Sequence, residues 1–163
     1  MKSFPIDDIR NIIFVGHQAA GKTILAEAAL LGAGVTKRIG RIEDGNTVLD
    51  YAPDEIERQI SIYSGLAWLE HEKTKVNILD TPGYEDFVGE VLAALAVVEG
   101  GVVVVSADSG VEVGTEKTWG YLDRRALPRI VCINKMDKEH ADFEKCLGEV
   151  QKHLGAHVMP LML

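Results

Sequence analysis

The sequence contains little cysteine, few aromatic residues and no long uninterrupted apolar run. Its two cysteines, Cys132 and Cys146, belong to no CxxC or Cys/His cluster, which argues against a disulfide framework and a zinc site. A reducing, cytoplasmic location is the expectation that follows. The richest apolar stretch, residues 91–105, is interrupted by Glu99-Gly-Gly101 and is too short to cross a bilayer. The N-terminal residues also lack the apolar segment of a signal peptide.

Basic residues are in deficit as well. The chain has 17 lysines and arginines against 25 aspartates and glutamates, a formal net charge of −8. This balance disfavours free nucleic acid and anionic membrane surfaces as partners. The five histidines show no ligand spacing, so we expect no histidine-based metal site. With 163 residues, 47% of them hydrophobic, the chain has the material for one core, and we predict a single domain over residues 1–163.

Short apolar stretches alternate with segments of helical periodicity. Strands are predicted at 11–15, 60–69, 76–79, 102–106, 130–134 and 158–163, and helices at 23–31, 85–98 and 115–125, with a last helix that carries Phe143, Leu147, Val150 and Leu154 on one face. Ile60, Ile62, Leu66 and Trp68 share a parity, which predicts the buried face of the second strand. Residues 35–58 read as a long polar loop. The pattern predicts an α/β fold with a mostly parallel six-stranded sheet, one antiparallel strand and helices on both faces.

A glycine-rich motif lies between the first predicted strand and the first predicted helix. It matches GxxxxGK[ST] and consists of Gly16, His17, Gln18, Ala19, Ala20, Gly21, Lys22 and Thr23. Glycines let the backbone turn its amide N–H groups toward phosphates, and the helix N-terminus adds a positive dipole end. We predict that Lys22 reaches the β- and γ-phosphates and that the Thr23 hydroxyl ligates Mg²⁺. A chance glycine turn with a solvated lysine is the alternative, and the strand-helix context disfavours it.

A second motif follows the apolar strand that ends at Leu79. It consists of Asp80, Thr81, Pro82 and Gly83, and it places a carboxylate at the C-terminal edge of the sheet. Asp80 is predicted to hold Mg²⁺ through water, and the Gly83 N–H to sense a γ-phosphate. Taken alone, the same residues also suit a tight turn with Asp80 as a helix cap.

A third motif again comes directly after an apolar strand, and it consists of Asn134, Lys135, Met136 and Asp137. The Asp137 carboxylate can accept from the ring N1–H and the exocyclic amine of guanine, a donor pair that adenine does not present. Lys135 is predicted to lie along the base plane. One such turn is common, but three motifs in this order at three strand ends indicate a P-loop NTPase with a Ras-like domain that binds GTP or GDP with Mg²⁺.

Several tracts together resemble the translational GTPases, and elongation factor G in particular. They are Arg10-Asn11, His17, Glu57-Arg-Gln-Ile-Ser-Ile62, Asp80-Thr-Pro-Gly-Tyr-Glu-Asp-Phe87 and Asn134-Lys-Met-Asp137. The resemblance covers the chain from about Arg10 to Leu163, and residues 84–91 with 106–119 look more like the elongation factor G-like paralogues. It implies a GTP-switched factor that docks at the ribosomal sarcin-ricin loop, with switch I at residues 38–61 and switch II at residues 80–91.

The chain departs from the family pattern at four positions. Ser61 stands where the family has a threonine that ligates Mg²⁺, and it either keeps that role through its hydroxyl or is merely the outward residue between Ile60 and Ile62. Ala19 replaces an aspartate and Gln18 a small apolar residue. Tyr84 replaces the histidine that orients the attacking water. Its phenol either holds that water, which with Lys22 makes it a candidate catalytic group, or packs against switch I.

Two functions from different classes stay open. The first is a GTP hydrolase, slow alone and stimulated by the ribosome. The second is a GTP-dependent, ribosome-associated switch with negligible hydrolysis, disabled at Tyr84 and Ala19. A P-loop ATPase is a third and weaker interpretation, which Asp137 argues against. The family also has a short Ser-Ala loop that closes on the guanine, and because none follows Asn134-Lys-Met-Asp137 we expect the domain to be truncated before it.

Overall fold

A computed structural model describes residues 3–155 and 157–161. The strands are β1 (Ile9–Val15), β2 (Gly65–His71), β3 (Thr74–Asp80), β4 (Gly100–Ser106) and β5 (Arg129–Asn134), and the helices are α1 (Lys22–Gly32), α2 (Pro53–Arg58), α3 (Val88–Ala94), α4 (Val113–Arg124) and α5 (Phe143–His153). Short 3₁₀ helices occupy Ile6–Asp8 and Glu85–Phe87.

The strands form one sheet in the order β2-β3-β1-β4-β5. All neighbouring pairs are parallel except β2 and β3, which form an antiparallel hairpin. Phe14 of β1 pairs with Asp80 of β3, and Ser106 of β4 pairs with Asn134 of β5. The C-terminal ends of these four parallel strands therefore lie along one edge of the sheet, where α/β folds bind ligands.

The core has two parts, one on each face of the sheet. Consecutive β1 residues point to opposite faces, so Ile13 and Val15 join the part covered by α3, α4 and α5, while Phe14 joins the part that includes Ala26 and Leu30 of α1. The α/β class, the parallel sheet with its one antiparallel pair and the helices on both faces are confirmed.

Three details of the predicted fold are wrong. The described part of the chain has five strands rather than six, since residues 158–161 form no strand; residues 162 and 163 of the predicted last strand lie outside the described residues. The 35–58 stretch is not loop throughout, because Pro53 starts the short helix α2. The predicted 85–98 helix is a 3₁₀ turn followed by α3, which ends at Ala94.

The predicted buried face of the second strand is also wrong. The strand begins at Gly65 rather than at Ile60, and its buried residues are Gly65 and Leu69. Leu66 is 70% and Trp68 48% exposed. The Trp68 ring instead packs edge-on against Phe4, at 6.4 Å between ring centroids, and lies under the Lys75 ammonium. Apolar character on an edge strand does not reveal which face the protein covers.

Candidate functional site

The turn from β1 into α1 has a shape that only glycine permits at two positions. Gly16 has a φ of 142°, and a Cβ there would lie 2.3 Å from the Val104 carbonyl oxygen of β4. Gly21, with a φ of 95°, is the residue before α1, and its Cβ would lie 2.3 Å from Nδ2 of Asn134. The loop is thus pressed against the ends of β4 and β5, and its backbone curls around the N-terminus of α1.

Lys22 and Thr23 begin α1 and are buried beneath this loop. The Lys22 Nζ donates to the carbonyl oxygen of His17 at 2.9 Å and to that of Gly16 at 3.3 Å. Burial lowers the pKa of the Lys22 ammonium, whereas the nearby carboxylates of Asp80 and Asp50 raise it. The ammonium is therefore held inside the loop, close to Asp80 at the end of β3.

Asp80 ends β3 as a buried acid that lacks a full set of partners. It is 2% exposed, and its Oδ1 has no hydrogen-bond partner in the described part of the chain. Burial raises the pKa of Asp80 to about 7, although a hydrogen bond from Thr23 and the Lys22 charge oppose that rise. The next residue, Thr81, fixes the turn by donating its hydroxyl to the Phe14 carbonyl at 2.6 Å.

Gly83 brings the turn after β3 into contact with the phosphate loop. A Cβ at Gly83 would lie 2.5 Å from the Lys22 Nζ and 2.7 Å from the Gln18 nitrogen. Pro82, which precedes it, is buried. The turn after β3 therefore lies directly against the phosphate loop, which is the position that a γ-phosphate sensor requires.

The 38–61 segment also reaches this place. The Ser61 hydroxyl lies 3.3 Å from the Thr23 hydroxyl. Asp50 is 5% exposed, and its Oδ2 has no partner among the described residues. Burial raises the pKa of Asp50, while a hydrogen bond from Ser61 lowers it. No sequence pattern indicates Asp50, because it is a single acid in a polar stretch and only the path of the chain brings it here.

The oxygen atoms around Thr23 suit a magnesium ion. The hydroxyls of Thr23 and Ser61 lie with the partnerless carboxylate oxygens of Asp80 and Asp50, and Mg²⁺ prefers oxygen ligands. No group of three or more His, Cys, Asp or Glu residues that could hold a metal by itself occurs within the described residues.

The third motif is joined to the phosphate loop by its first residue. Asn134 ends β5, and its Nδ2 donates to the Ala20 carbonyl at 3.0 Å. The chain then turns through Lys135, which has a φ of 60°, to the exposed residues Met136 and Asp137. Asn134 therefore anchors the motif while Asp137 stays accessible to a base beside the loop.

Two predicted site residues have surroundings that the sequence did not reveal. The His17 Nε2 lies 3.3 Å from Glu112, just before α4, and a Cβ on Gly114 would approach the His17 Nδ1 to 2.6 Å. Tyr84 is 37% exposed and lines a cavity of about 420 Å³ with Lys117 and Tyr121 of α4. The tyrosine ring thus lies next to α4.

These observations define a P-loop domain that binds guanine nucleotides at the C-terminal edge of a mostly parallel sheet. The family model described as "Elongation factor Tu GTP binding domain" matches residues 7–160. The chain belongs to this family, and it is a GTP-binding domain of the translational GTPase type. The roles of the individual site residues stay predictions.

Curated relatives agree with this family. The chain is 46% identical over 156 residues to "Ribosome-releasing factor 2, mitochondrial" of Culex quinquefasciatus, covering 96% of this chain and 21% of that protein. It is 40% identical over 159 residues to the protein of the same name from Debaryomyces hansenii, covering 98% of this chain and 18% of the relative. The chain thus spans about a fifth of the length of these relatives.

Solved structures share the fold. A protein from Thermus thermophilus superposes with a TM-score of 0.86 at 41% identity, covering 90% of this chain and 22% of that one. The bacterial selenocysteine-specific elongation factor superposes with a TM-score of 0.73 at 24% identity, covering 93% of this chain and 24% of the other, which is a likeness of fold alone. Over residues 3–155 and 157–161, no helix combines the length and the apolar character needed to span a membrane.

Proposed function

We propose that the chain is the nucleotide-binding part of a ribosome-stimulated GTP hydrolase whose activity is slow without the ribosome. One observation carries the proposal: Asp80 and Asn134 at two strand ends and Lys22 after the turn that follows a third strand lie at one edge of the sheet, where the Asn134 amide donates to the phosphate loop at 3.0 Å. The names of relatives from Culex quinquefasciatus and Debaryomyces hansenii support the ribosomal part.

The residues divide the work of binding as follows. Backbone N–H groups of residues 16–23 and the Lys22 ammonium bind the phosphates, and Asp137 selects guanine by accepting from its N1–H and its exocyclic amine. Gly83, where an added Cβ would meet Gln18 and the Lys22 Nζ, is placed to detect whether a third phosphate is present. Loss of that phosphate would release the turn after β3 from the loop.

The Thr23 and Ser61 hydroxyls would ligate the magnesium ion, and Asp80 would hold it through water. Asp50, which is hydrogen-bonded by Ser61, lies beside them. When bound, Mg²⁺ neutralises charge on the phosphate oxygens. The Lys22 ammonium, which lies near the same acids, would also stabilise negative charge on the phosphates. Without these cations, the buried Asp80 and Asp50 would face several phosphate charges at close range.

The second candidate function is a GTP-dependent switch with negligible hydrolysis. Tyr84 favours it, since its ring lines the cavity beside α4 together with Lys117 and Tyr121. Ala19 also gives the phosphate loop no carboxylate. In this case GTP binding alone would control attachment to the ribosome.

Single-turnover hydrolysis of GTP with and without ribosomes separates the two functions. The hydrolase predicts a slow rate alone and an increase of roughly a hundredfold or more on ribosomes, the range for assembling a positioned catalytic group. The bare switch predicts GTP-dependent ribosome binding at an unchanged rate. Protein that fails to associate with ribosomes in either nucleotide state would contradict both.

Docking at the sarcin-ricin loop and a cytoplasmic location complete the proposal. The resemblance to elongation factor G supports the docking site. The printed names of the relatives include the word mitochondrial, which argues against the cytoplasmic location. Footprinting of ribosomal RNA with the GTP-bound protein tests the docking site. Imaging of a tagged protein in its own cells tests the location.

A further inference from the structure

Glu27 is a buried acid that the predicted chemistry does not use. It lies on α1, one turn beyond Thr23, and is 1% exposed. Glutamate is almost never fully buried unless its charge is paired or well hydrogen-bonded. Because α1 begins with the predicted phosphate-binding residues, the groups that Glu27 contacts are held close to the predicted site.

The partners of Glu27 are two backbone N–H groups of the 36–50 stretch. The Gly40 nitrogen donates to Oε2 at 3.1 Å, and the Val48 nitrogen donates to Oε1 at 2.5 Å. A Cβ on Gly40 would lie 2.7 Å from Oε2 and 2.6 Å from the Thr47 Cα. The contact is therefore close enough to require glycine, and one carboxylate joins two separated parts of the segment to α1.

A chain of contacts leads from Glu27 to the predicted magnesium site. Thr47, beside Val48, donates its hydroxyl to the Asp50 carbonyl at 3.1 Å and accepts from the Asp50 nitrogen at 3.2 Å. Asp50 is hydrogen-bonded by Ser61, whose hydroxyl lies 3.3 Å from that of Thr23. The series of contacts therefore ends at Thr23 on α1, one turn before Glu27.

We propose that Glu27 is a positioning residue for switch I: by holding Gly40 and Val48 against α1, it places Asp50 and Ser61 beside Thr23. The inference rests on the proposed function, in which those groups face the magnesium ion of GTP. Glu27 contacts the segment through the Gly40 and Val48 nitrogens, and it acts on the site through that segment. Its loss should therefore affect the GTP state much more than the GDP state.

The test compares Glu27→Gln with Glu149→Gln. Gln keeps the shape of the side chain but presents an NH₂ group to one of the two donors, which leaves a buried N–H unpaired. Glu149 is the matched control, because its carboxylate accepts from the Val111 nitrogen at 3.1 Å, outside switch I. Limited trypsin digestion reports the segment directly, since Lys37, Arg38, Arg41 and Arg58 are all exposed.

For Glu27→Gln with Mg²⁺ and a non-hydrolysable GTP analogue, we expect cleavage within residues 37–58 to become about tenfold faster. Affinity for the analogue should fall about tenfold while affinity for GDP changes less than twofold. Glu149→Gln should leave both at the wild-type values. Equal losses for GDP and the analogue, or unchanged trypsin cleavage, would overturn the proposal.

Gly40→Ala gives a second route if Glu27→Gln does not fold, because the added methyl group pushes the segment off Glu27 without altering α1. It should reproduce the faster cleavage and the loss of affinity confined to the GTP analogue, and wild-type behaviour would overturn the proposal.

Hydrolysis on ribosomes is measured separately. Wild-type protein without ribosome-stimulated turnover would reject the proposed hydrolase while leaving this result intact.

Discussion

At the scale of single residues, the buried acids near Thr23 lie in surroundings that favour a bound cation. Asp80 and Asp50 are both nearly inaccessible, and each has one carboxylate oxygen without a partner among the described residues. A buried polar atom without a hydrogen bond is destabilising. The site thus carries a local cost that a bound magnesium ion with its waters would remove.

The raised pKa of Asp80 predicts a pH-dependent stability. The pKa is about 7 in the folded chain and 3.8 as the ordinary value, so the folded state binds more protons than the unfolded state between about pH 4 and pH 7. The free energy of unfolding of the metal-free protein should therefore fall as the pH rises through this window. Urea unfolding at pH 4.5, 6 and 7.5 measures it.

Asp80→Asn is the comparison for this prediction, because the amide does not titrate. The difference in unfolding free energy between wild type and Asp80→Asn should change steadily from pH 4.5 to pH 7.5, with the variant gaining relative to wild type. Asp50, whose pKa is also raised, remains in both proteins, and its charge is one of the causes that raise the pKa of Asp80. The difference between the two proteins therefore reports Asp80 together with its interaction with Asp50. A difference that is constant with pH would show that Asp80 is already ionised in the folded chain.

Tyr84 decides between the hydrolase and the switch. If its hydroxyl holds the attacking water, then in the full-length factor Tyr84→Phe should slow ribosome-stimulated hydrolysis about tenfold or more, while GTP affinity stays the same. Tyr84→His, which restores the group usual in the family, should raise the rate. If the ring only packs, as its place beside α4 suggests, Phe leaves hydrolysis unchanged and Ala weakens magnesium-dependent GTP binding.

At the scale of elements, the phosphate loop depends on its contact with the neighbouring strand. Alanine at Gly16 would place a methyl group 2.3 Å from the Val104 carbonyl at a φ of 142°. Strained backbone and overpacking each cost about 1–3 kcal/mol. Gly16→Ala should therefore lower the unfolding free energy by at least about 2 kcal/mol and weaken nucleotide binding.

Gly120→Ala is the control for this substitution. Gly120 lies within α4, and nothing would lie within 4 Å of an added Cβ. Replacing a helical glycine by alanine should stabilise the protein by roughly 0.5–1 kcal/mol. Both changes are measured by urea unfolding and by GDP binding. A Gly16→Ala protein as stable as wild type would mean that the loop can shift away from β4.

The sequence predicted those features of the site that are contiguous in the chain. Each of the three motifs is a short run at a strand end, so spacing and apolar patterning located it. Glu27, Asp50 and Glu112 were not predictable, because their importance arises from where a distant segment passes over them. The exposed Trp68 shows the same limit for the fold, since alternation places residues on two faces without indicating which face another element covers.

At the scale of the whole molecule, nucleotide binding should stabilise the entire domain. The site joins β1, β3 and β5 through Lys22, Asp80 and Asn134, so a ligand bound there holds both halves of the sheet together. A ligand that binds only the folded state raises stability by about 2.7 kcal/mol at a hundred times its dissociation constant. GDP with Mg²⁺ should raise the melting temperature in proportion to the logarithm of its concentration.

Competition between nucleotides tests the central claim most directly. With labelled GDP and Mg²⁺ bound, GTP should displace the label at stoichiometric concentrations, whereas ATP in roughly thousandfold excess should not, because adenine lacks the donors that Asp137 accepts. Asp137→Asn should weaken GDP binding by about ten- to a hundredfold, since it removes a charge-assisted hydrogen-bond pair. Displacement by ATP as effective as that by GTP, or full GDP affinity in Asp137→Asn, would contradict the assignment of a guanine-specific site.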